Sequence, residues 1–111
     1  ISPGIQMRFR ALHEFTGRLP LASFSPEHID LVGMDTPTAL QSGVVNGVLA
    51  EVNGIITQYQ QKHAQLNVVF CGGDANFFDN RLKNSIFASN SSCIPHLVLI
   101  GLNEIIHHQH E

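Results

Sequence analysis

Residues 66–74, LNVVFCGGD, place four apolar residues in a row before two glycines. Such a run, rich in β-branched residues and lacking polar alternation, is typical of a parallel strand buried on both faces. Helical patterns flank it on both sides, and the sequence therefore predicts a helix-rich α/β fold. Residues 85–89, SIFAS, predict a brief second strand. Because two short strands do not make a stable sheet alone, we expect further strands before Ile1.

Upstream of this strand lies the longest predicted helix, within residues 34–63, MDTPTALQSGVVNGVLAEVNGIITQYQQKH. Thr36 precedes Pro37, an arrangement in which the threonine hydroxyl caps free amides and proline occupies the first helical position. Apolar residues then recur at helical spacing to about His63. Before this helix, Ile29–Val32 predicts a short extended piece.

The first segment predicts an amphipathic helix over residues from about 4 to 16. Ile5 and Phe9 recur at helical spacing, which places them on one apolar face. Gly17 is expected to end this helix and Pro20 to prevent its continuation. The chain therefore begins with a helix that packs through one side.

Two more helices are predicted after the strand. Residues 74–84, DANFFDNRLKN, predict a short helix with Asp74 in the capping position. Residues 94–109, IPHLVLIGLNEIIHHQ, predict a helix that starts near Pro95. This last helix is apolar on nearly all sides as far as Gly101, and we therefore expect it to be largely buried.

Composition and charge narrow the class of protein. The chain has 111 residues, 43% of them hydrophobic, and a formal net charge of -3, values typical of one globular domain or half of a larger one. The six Lys and Arg residues are scattered, which argues against nucleic-acid binding. No apolar run approaches the ~20 residues of a membrane span, and no leader pattern is visible, so we expect a cytoplasmic protein. Cys71, inside the apolar run, is expected to be a buried thiol rather than half of a disulfide with Cys93.

Three glycines of the long helix, Gly43, Gly47 and Gly54, lie close to one helix face. Each costs about 1 kcal/mol relative to alanine in a helix interior. Close approach of another backbone would compensate for this cost. That backbone belongs either to a neighbouring helix of the same chain or to the same helix of a second subunit, and the sequence leaves both alternatives open.

Gly72 and Gly73, between the predicted strand and the next helix, form a candidate anion-binding loop. Glycines in this position let backbone amides approach a phosphate, although tight strand-to-helix turns also use glycine without binding anything. The histidines near the end, His107, His108 and His110, lack supporting ligands at metal-site spacing and are expected to form a solvated tail. The sequence contains no nucleophile elbow, no Walker loop and no convincing carboxylate pair, and it predicts no catalytic residue and no metal ligand.

Four blocks in order resemble the C-terminal half of type III pantothenate kinases: residues 1–20, ISPGIQMRFRALHEFTGRLP; residues 36–56, TPTALQSGVVNGVLAEVNGII; residues 68–78, VVFCGGDANFF; and residues 96–106, HLVLIGLNEII. The resemblance implies an actin-like, sugar-kinase-type (ribonuclease H-like) fold of two related α/β domains. Residues 1–111 would form the C-terminal portion of one such domain, without the N-terminal domain and the first strands.

The resemblance also implies an activity. The whole protein would be a transferase that moves the γ-phosphoryl group of ATP to pantothenate, giving 4'-phosphopantothenate in coenzyme A biosynthesis. It would use Mg²⁺ and a monovalent cation, K⁺ or NH₄⁺, and act as a cytoplasmic homodimer without nucleic-acid or membrane partners.

The resemblance assigns ligand-binding roles to individual residues in two regions of the chain. Thr36 stands where the family has a pantothenate-contacting threonine, and Thr38 is the fallback. Gly72 and Gly73 match the paired glycines near the adenosine end of the nucleotide. Because family dimer contacts lie near the pantothenate pocket, the resemblance favours the intersubunit alternative for the glycine face of the long helix.

Family segments that precede these blocks do not occur in the chain. These are the D-x-G-N-T phosphate loop, the G-A-D-R segment with the catalytic aspartate, and the D-x-G-T segment that serves the cation and phosphate. The 111 residues alone are therefore expected to be catalytically inactive. Two alternatives remain at this point: a transcriptional accessory factor that acts through protein interactions, and a free-standing dimerisation module.

Overall fold

The structure, a computed structural model, describes residues 1–83 and 91–109. In chain order the elements are helix α1 (Ile5–Glu14), helix α2 (Thr36–Gln41), a π-helical segment (Ser42–Asn46), helix α3 (Gly47–Lys62), strand β1 (Val68–Phe70), helix α4 (Ala75–Leu82), strand β2 (Ser91–Cys93) and helix α5 (Leu97–Gln109). The chain divides into two compact units, residues 1–52 and residues 53–111, which are described separately below.

In the first unit, α1 packs against the π-helical segment through one apolar face. Ile5 and Phe9 are each only 2% exposed, which confirms the predicted amphipathic helix. The helix ends at Glu14, two residues earlier than predicted, because the backbone of Phe15, with φ -102° and ψ 9°, has already left helical geometry. The buried apolar residues on the facing side are Leu40, Val44, Val45 and Val48.

The long predicted helix is confirmed as a continuous helical stretch from Thr36 to Lys62, but its backbone is not uniform. Between α2 and α3, the five residues of the π-helical segment insert a wider turn. The spacing of apolar residues cannot reveal such a turn. The turn shifts the following residues around the helix axis without changing the residue types. π-Helical turns are rare in proteins, but those that occur are frequently part of a functional site.

The three helix glycines have open surroundings. Apart from adjacent residues and the helix backbone itself, no atom of the described residues lies within 4 Å of a Cβ built on Gly43, Gly47 or Gly54. A neighbouring helix of the same chain therefore does not explain them within the part of the chain that the structure describes. The alternative, contact with a second subunit, stays a prediction.

In the second unit, β1 and β2 pair in parallel, with Val68 opposite Ser91 and Phe70 opposite Cys93. This pairing confirms the predicted parallel strand and the helix-rich α/β class. The predicted strand at residues 85–89 lies outside the described residues. Helix α4 packs on both strands, and its Ala75 is 2% exposed.

Aromatic contacts join α4 to the sheet. The rings of Phe70 and Phe78 stack with centroids 6.1 Å apart, and Phe77 meets Phe78 edge-on at 5.4 Å. The Arg81 guanidinium lies 5.6 Å from the centre of the Phe77 ring. Asp74 occupies the position before α4, as predicted, but its side chain forms no capping hydrogen bond.

Two burial predictions for β1 are wrong. Val69 is 47% exposed, so the strand is not buried on both faces, since one face carries no packed element in the described chain. Cys71 is exposed rather than buried, because it follows the last paired residue of the strand and enters the glycine turn. Cys71 and Cys93 are both free thiols in the structure.

The predicted burial of the last helix is also wrong. Helix α5 begins at Leu97, two residues after Pro95, and none of its residues is buried. Its exposed apolar residues are Leu97, Val98, Leu99, Ile100, Leu102, Ile105 and Ile106. Apolar composition predicts burial only where another surface is available to cover the helix, and the described chain supplies none. The short extended piece predicted at Ile29–Val32 is likewise wrong, because these residues form a loop.

A polar network ties the start of α1 to α3. Arg8 Nη2 lies 2.8 Å from Glu51 Oε2 and donates to Ser2 Oγ at 2.9 Å, while the Ser2 hydroxyl donates to Glu51 Oε1. These contacts favour the charged carboxylate. The hydrogen bond from Ser2, followed by that from Arg8, lowers the pKa of Glu51 below its ordinary value of 4.5.

This lowered pKa predicts a pH dependence of stability. The Glu51 network stabilises the fold fully above pH 4.5, and its contribution is lost as the pH falls through the lower folded-state pKa. In denaturant titrations between neutral and acidic pH, Glu51→Gln should lose this part of the pH dependence, and salt should weaken it in the parent chain. Glu14→Gln, which removes an exposed carboxylate 3.4 Å from Arg10, is the control. Equal acid profiles for the parent chain and Glu51→Gln would contradict the prediction.

Candidate functional site

The start of α2 is held by a reciprocal pair of hydrogen bonds between Asp35 and Thr38. Asp35 Oδ1 accepts from the Thr38 amide at 2.9 Å, and the Thr38 hydroxyl accepts from the Asp35 amide at 3.1 Å. The capping residue is therefore Asp35, and the prediction that Thr36 caps this helix is wrong. Thr36 is already helical, whereas the side chain one residue earlier can reach the free amide of the first turn.

The charge of Asp35 is stabilised at this position. Its Oδ1 also accepts a hydrogen bond of 2.6 Å from the Thr38 hydroxyl. The Thr38 hydroxyl, followed by the Thr38 amide, lowers the pKa of Asp35 below its ordinary value. A negative charge before a helix N-terminus also interacts favourably with the helix dipole.

The two candidate threonines differ in what their hydroxyls already bind. The Thr38 hydroxyl donates to Asp35 and accepts from the amides of Met34, at 2.9 Å, and Asp35. Thr36 is exposed, and its hydroxyl forms no hydrogen bond to any residue that the structure describes. A hydroxyl offers one donor and two acceptor positions. Of the two threonines, only Thr36 therefore has its hydrogen-bonding capacity free for a ligand.

A cavity of about 210 Å³ lies beside Thr38, between the start of α2 and the preceding loop. Its wall combines apolar side chains, including Val32, with the polar residues Glu27, His28 and Asp30. Typical ligand pockets measure about 300–1,000 Å³, so this cavity can hold only part of a small molecule. Thr36 is not part of its wall.

Polar side chains on one side of the helical stretch hold this loop in place. Gln41 Nε2 donates to the Ser23 carbonyl at 2.6 Å, Ser42 Oγ donates to the Leu31 carbonyl at 2.5 Å, and Asn46 Nδ2 donates to the Asp30 carbonyl at 3.3 Å. Sequence reasoning missed this role. The available signal was polar residues interrupting an otherwise apolar helical pattern.

The glycine loop of the second unit turns the chain from β1 into α4. Gly72 has a φ of +91°, a conformation that L-residues with side chains rarely adopt. Its amide donates to the Pro95 carbonyl at 3.0 Å, and its carbonyl accepts from the Ala75 amide at 3.2 Å. The Gly72 amide is thus engaged in holding the turn. Gly73 is exposed and is the glycine of the pair that a ligand can approach.

The position of this loop in the sheet is suited to ligand binding. It follows the carboxyl end of β1, and Pro95 follows the carboxyl end of the parallel strand β2. In open α/β sheets, ligands bind outside the carboxyl ends of the strands. The threonines belong to the first unit and the glycine loop to the second, and each region is a separate candidate.

Two predictions concern features that the sequence does not favour, a metal site formed by histidines and a membrane-spanning helix. His13 Nδ1 lies 2.8 Å from the Leu19 carbonyl, so this histidine has a local partner. Within residues 1–83 and 91–109, no group of three or more His, Cys, Asp or Glu residues is placed to hold a metal ion. His110 lies outside the described residues. None of the helices described is both long and apolar enough to cross a membrane.

A parallel sheet with a glycine turn at its carboxyl edge, and a free threonine at the start of a long helix, define a helix-rich α/β protein with two candidate ligand-binding regions. The family model described as type III pantothenate kinase matches residues 1–58. The chain belongs to the type III pantothenate kinase family.

Curated relatives extend the similarity over most of the chain. A type III pantothenate kinase of Cytophaga hutchinsonii is 44% identical over 108 residues, covering 97% of this chain and 43% of the relative. That of Bacteroides fragilis is 45% identical over 108 residues, covering 97% and 42%. That of Christiangramia forsetii is 42% identical over 106 residues, covering 96% and 41%. The chain thus spans less than half the length of the relatives it matches.

Proposed function

We propose that the chain is the C-terminal portion of a pantothenate kinase. The whole protein transfers the γ-phosphoryl group of ATP to the terminal hydroxyl of pantothenate and forms 4'-phosphopantothenate and ADP, a step towards coenzyme A. The observation that supports this proposal is the 44% identity to a relative of that name over 97% of the chain. Because the chain spans 43% of that relative, the activity is proposed for the whole protein.

Thr36 is proposed to contact pantothenate, and its exposed, free hydroxyl supports this assignment. Gly72 and Gly73 are proposed to lie near the adenosine end of ATP. Their position at the carboxyl edge of the parallel strands supports this role, with Gly73 facing the nucleotide and Gly72 holding the turn.

Phosphoryl transfer depends on positioning the reactants and on neutralising the charge of the phosphates. Mg²⁺ and K⁺ or NH₄⁺ are proposed cofactors of the whole protein. The described residues do not fit a metal site, since they contain no suitable group of ligands. We therefore assign the cation ligands and the catalytic aspartate to segments outside these 111 residues, and expect the chain alone to be inactive.

The architecture of the whole protein is part of the same proposal. It comprises two related domains of the actin-like, sugar-kinase type, with residues 1–111 as the C-terminal portion of one of them. It is cytoplasmic and forms a homodimer. The open surroundings of Gly43, Gly47 and Gly54 within the described chain support a role for this helix face in contact between subunits.

A coupled ATP-consumption assay tests the proposed function. The whole protein should consume ATP only when pantothenate is present, and the 111-residue chain should consume none under the same conditions. Assays with Mg²⁺, with and without K⁺ or NH₄⁺, cover the proposed cofactors. A whole protein that is folded but inactive in every condition would overturn the kinase proposal and favour the accessory-factor alternative.

Thr36→Ala in the whole protein tests the substrate site. Loss of one hydrogen bond to pantothenate should raise KM for pantothenate about two- to tenfold, because a hydrogen bond contributes roughly 0.5–1.5 kcal/mol. KM for ATP should not change. Thr36→Ser, which keeps the hydroxyl, is the matched control and should remain close to the parent protein. An unchanged KM for pantothenate in Thr36→Ala would remove Thr36 from the site.

A further inference from the structure

Gly33 lies against the backbone of α2 more closely than any other residue type would permit. A Cβ built on Gly33 would stand 2.4 Å from both the Cα and the amide nitrogen of Ala39, and 2.8 Å from the carbonyl carbon of Thr38. These are backbone atoms of a helix, which cannot move aside as the end of a flexible side chain can. Glycine is needed here because a Cβ atom would have no room. The φ angle of Gly33 is not in the positive range that favours glycine.

Thr38 also joins this loop to the helix, through hydrogen bonds. Its hydroxyl binds the amides of Met34 and Asp35 and the Asp35 carboxylate, while its own amide binds Asp35 Oδ1. All of these groups lie between Gly33 and Ala39. The close approach of Gly33 brings the loop near enough for the hydroxyl to make these bonds, and the bonds hold the loop there.

The close contact of Gly33 with Ala39 and the hydrogen bonds of Thr38 together form a clamp between the loop and α2. Thr36 lies within this clamp in sequence but makes none of its contacts. Its neighbour Asp35 is fixed by Thr38, and Thr36 itself is exposed with a free hydroxyl. The clamp therefore determines where the Thr36 hydroxyl points, while the Thr38 hydroxyl is already engaged by Met34 and Asp35. A ligand bound by Thr36 would depend on two residues that it does not touch through hydrogen bonds.

We infer that Gly33 and Thr38 are positioning residues of the pantothenate site, which hold the Thr36 hydroxyl in the orientation that binds substrate. This inference rests on the proposed function and extends it from one contacting residue to the clamp that presents it. Because the clamp acts through the Thr36 hydroxyl, loss of the clamp should weaken pantothenate binding about as strongly as loss of that hydroxyl does.

The test uses Gly33→Ala in the whole protein, with Gly17→Ala as its control. Gly17 has open space at the Cβ position, so its substitution should change nothing. Gly33→Ala should raise KM for pantothenate by about two- to tenfold, as loss of the Thr36 hydroxyl does, and leave KM for ATP unchanged. Calorimetric titration of the variant with pantothenate should show the same loss of affinity.

A second pair of variants keeps the test informative if Gly33→Ala does not fold. Thr38→Val keeps the shape of the side chain and removes the hydroxyl that makes the clamp bonds, whereas Thr38→Ser restores it. Thr38→Val should raise KM for pantothenate, and Thr38→Ser should return it close to the parent value. Rescue by serine separates the hydroxyl bonds from packing.

Four results decide between the possibilities. If Gly33→Ala or Thr38→Val raises KM for pantothenate alone, with rescue in Thr38→Ser, the inference stands. Two results would overturn the positioning role and leave the kinase proposal standing. In the first, KM for pantothenate and KM for ATP rise together and the melting temperature falls. In the second, neither KM rises, although Thr36→Ala is impaired. If the parent protein shows no pantothenate-dependent ATP consumption, the proposed function fails first and the inference with it.

Discussion

Phe9→Ala should lower the free energy of unfolding by about 3–5 kcal/mol, the largest effect we expect from a single substitution in this chain. Phe9 is only 2% exposed and lies on the face of α1 that packs against the π-helical segment. Its removal takes away buried apolar area and leaves a cavity that close-packed neighbours cannot fill. Since few residues of this unit are fully buried, the loss affects a large part of its core.

Phe15→Ala is the matched control, because the same chemical change occurs directly after the same helix at a residue that is 85% exposed. It should alter the free energy of unfolding by no more than about 0.5 kcal/mol. The chain contains no tryptophan, so far-UV circular dichroism in a urea titration is the suitable measurement. Similar losses for the two variants would mean that α1 does not pack through the face that carries Phe9.

The elements that sequence reasoning predicted well are those specified by local patterns. The period of Ile5 and Phe9 fixes both the helix and its buried side. The run that contains Val68 and Phe70, followed by Gly72, predicts a parallel strand and a turn, whereas the partner strand at Ser91–Cys93 was not predicted. In each case, the side chains that determine the structure lie within a few positions of one another.

The start of α2 shows why the details of the site were harder to predict. Asp35 and Thr36 are both good capping residues, and they differ by one position. Only the backbone geometry shows that Asp35 reaches the Thr38 amide while Thr36 remains free. The close approach of Gly33 to Ala39 leaves no mark in composition or periodicity, because any loop can contain a glycine.

Helix α5 shows the limit of arguing from hydrophobicity. Its apolar sequence predicted burial, yet burial requires a second surface as well as an apolar one, and the second surface is not encoded in the helix. In the described chain Leu102 is 50% exposed and Ile105 is 56% exposed. An exposed apolar surface of this kind is unusual in a stable monomer. The stability of the second unit must therefore come from residues other than those of α5.

Leu82→Ala tests this conclusion and should lower the free energy of unfolding of the second unit by about 2–5 kcal/mol. Leu82 is 5% exposed and is the last residue of α4, the helix that packs on both strands of the sheet. Each strand has only three residues. Short paired strands are not stable without a packed face, so loss of the Leu82 side chain removes support that the sheet cannot replace.

Leu102→Ala makes the identical change on α5 and should cost no more than about 0.5 kcal/mol in the 111-residue chain, because Leu102 keeps half of its surface in solvent. Urea titrations followed by circular dichroism compare the two variants with the parent chain. A loss in Leu102→Ala as large as that in Leu82→Ala would show that α5 is covered in solution, as its sequence predicts. A loss confined to Leu82→Ala would show that α4 and the two strands are stabilised without α5.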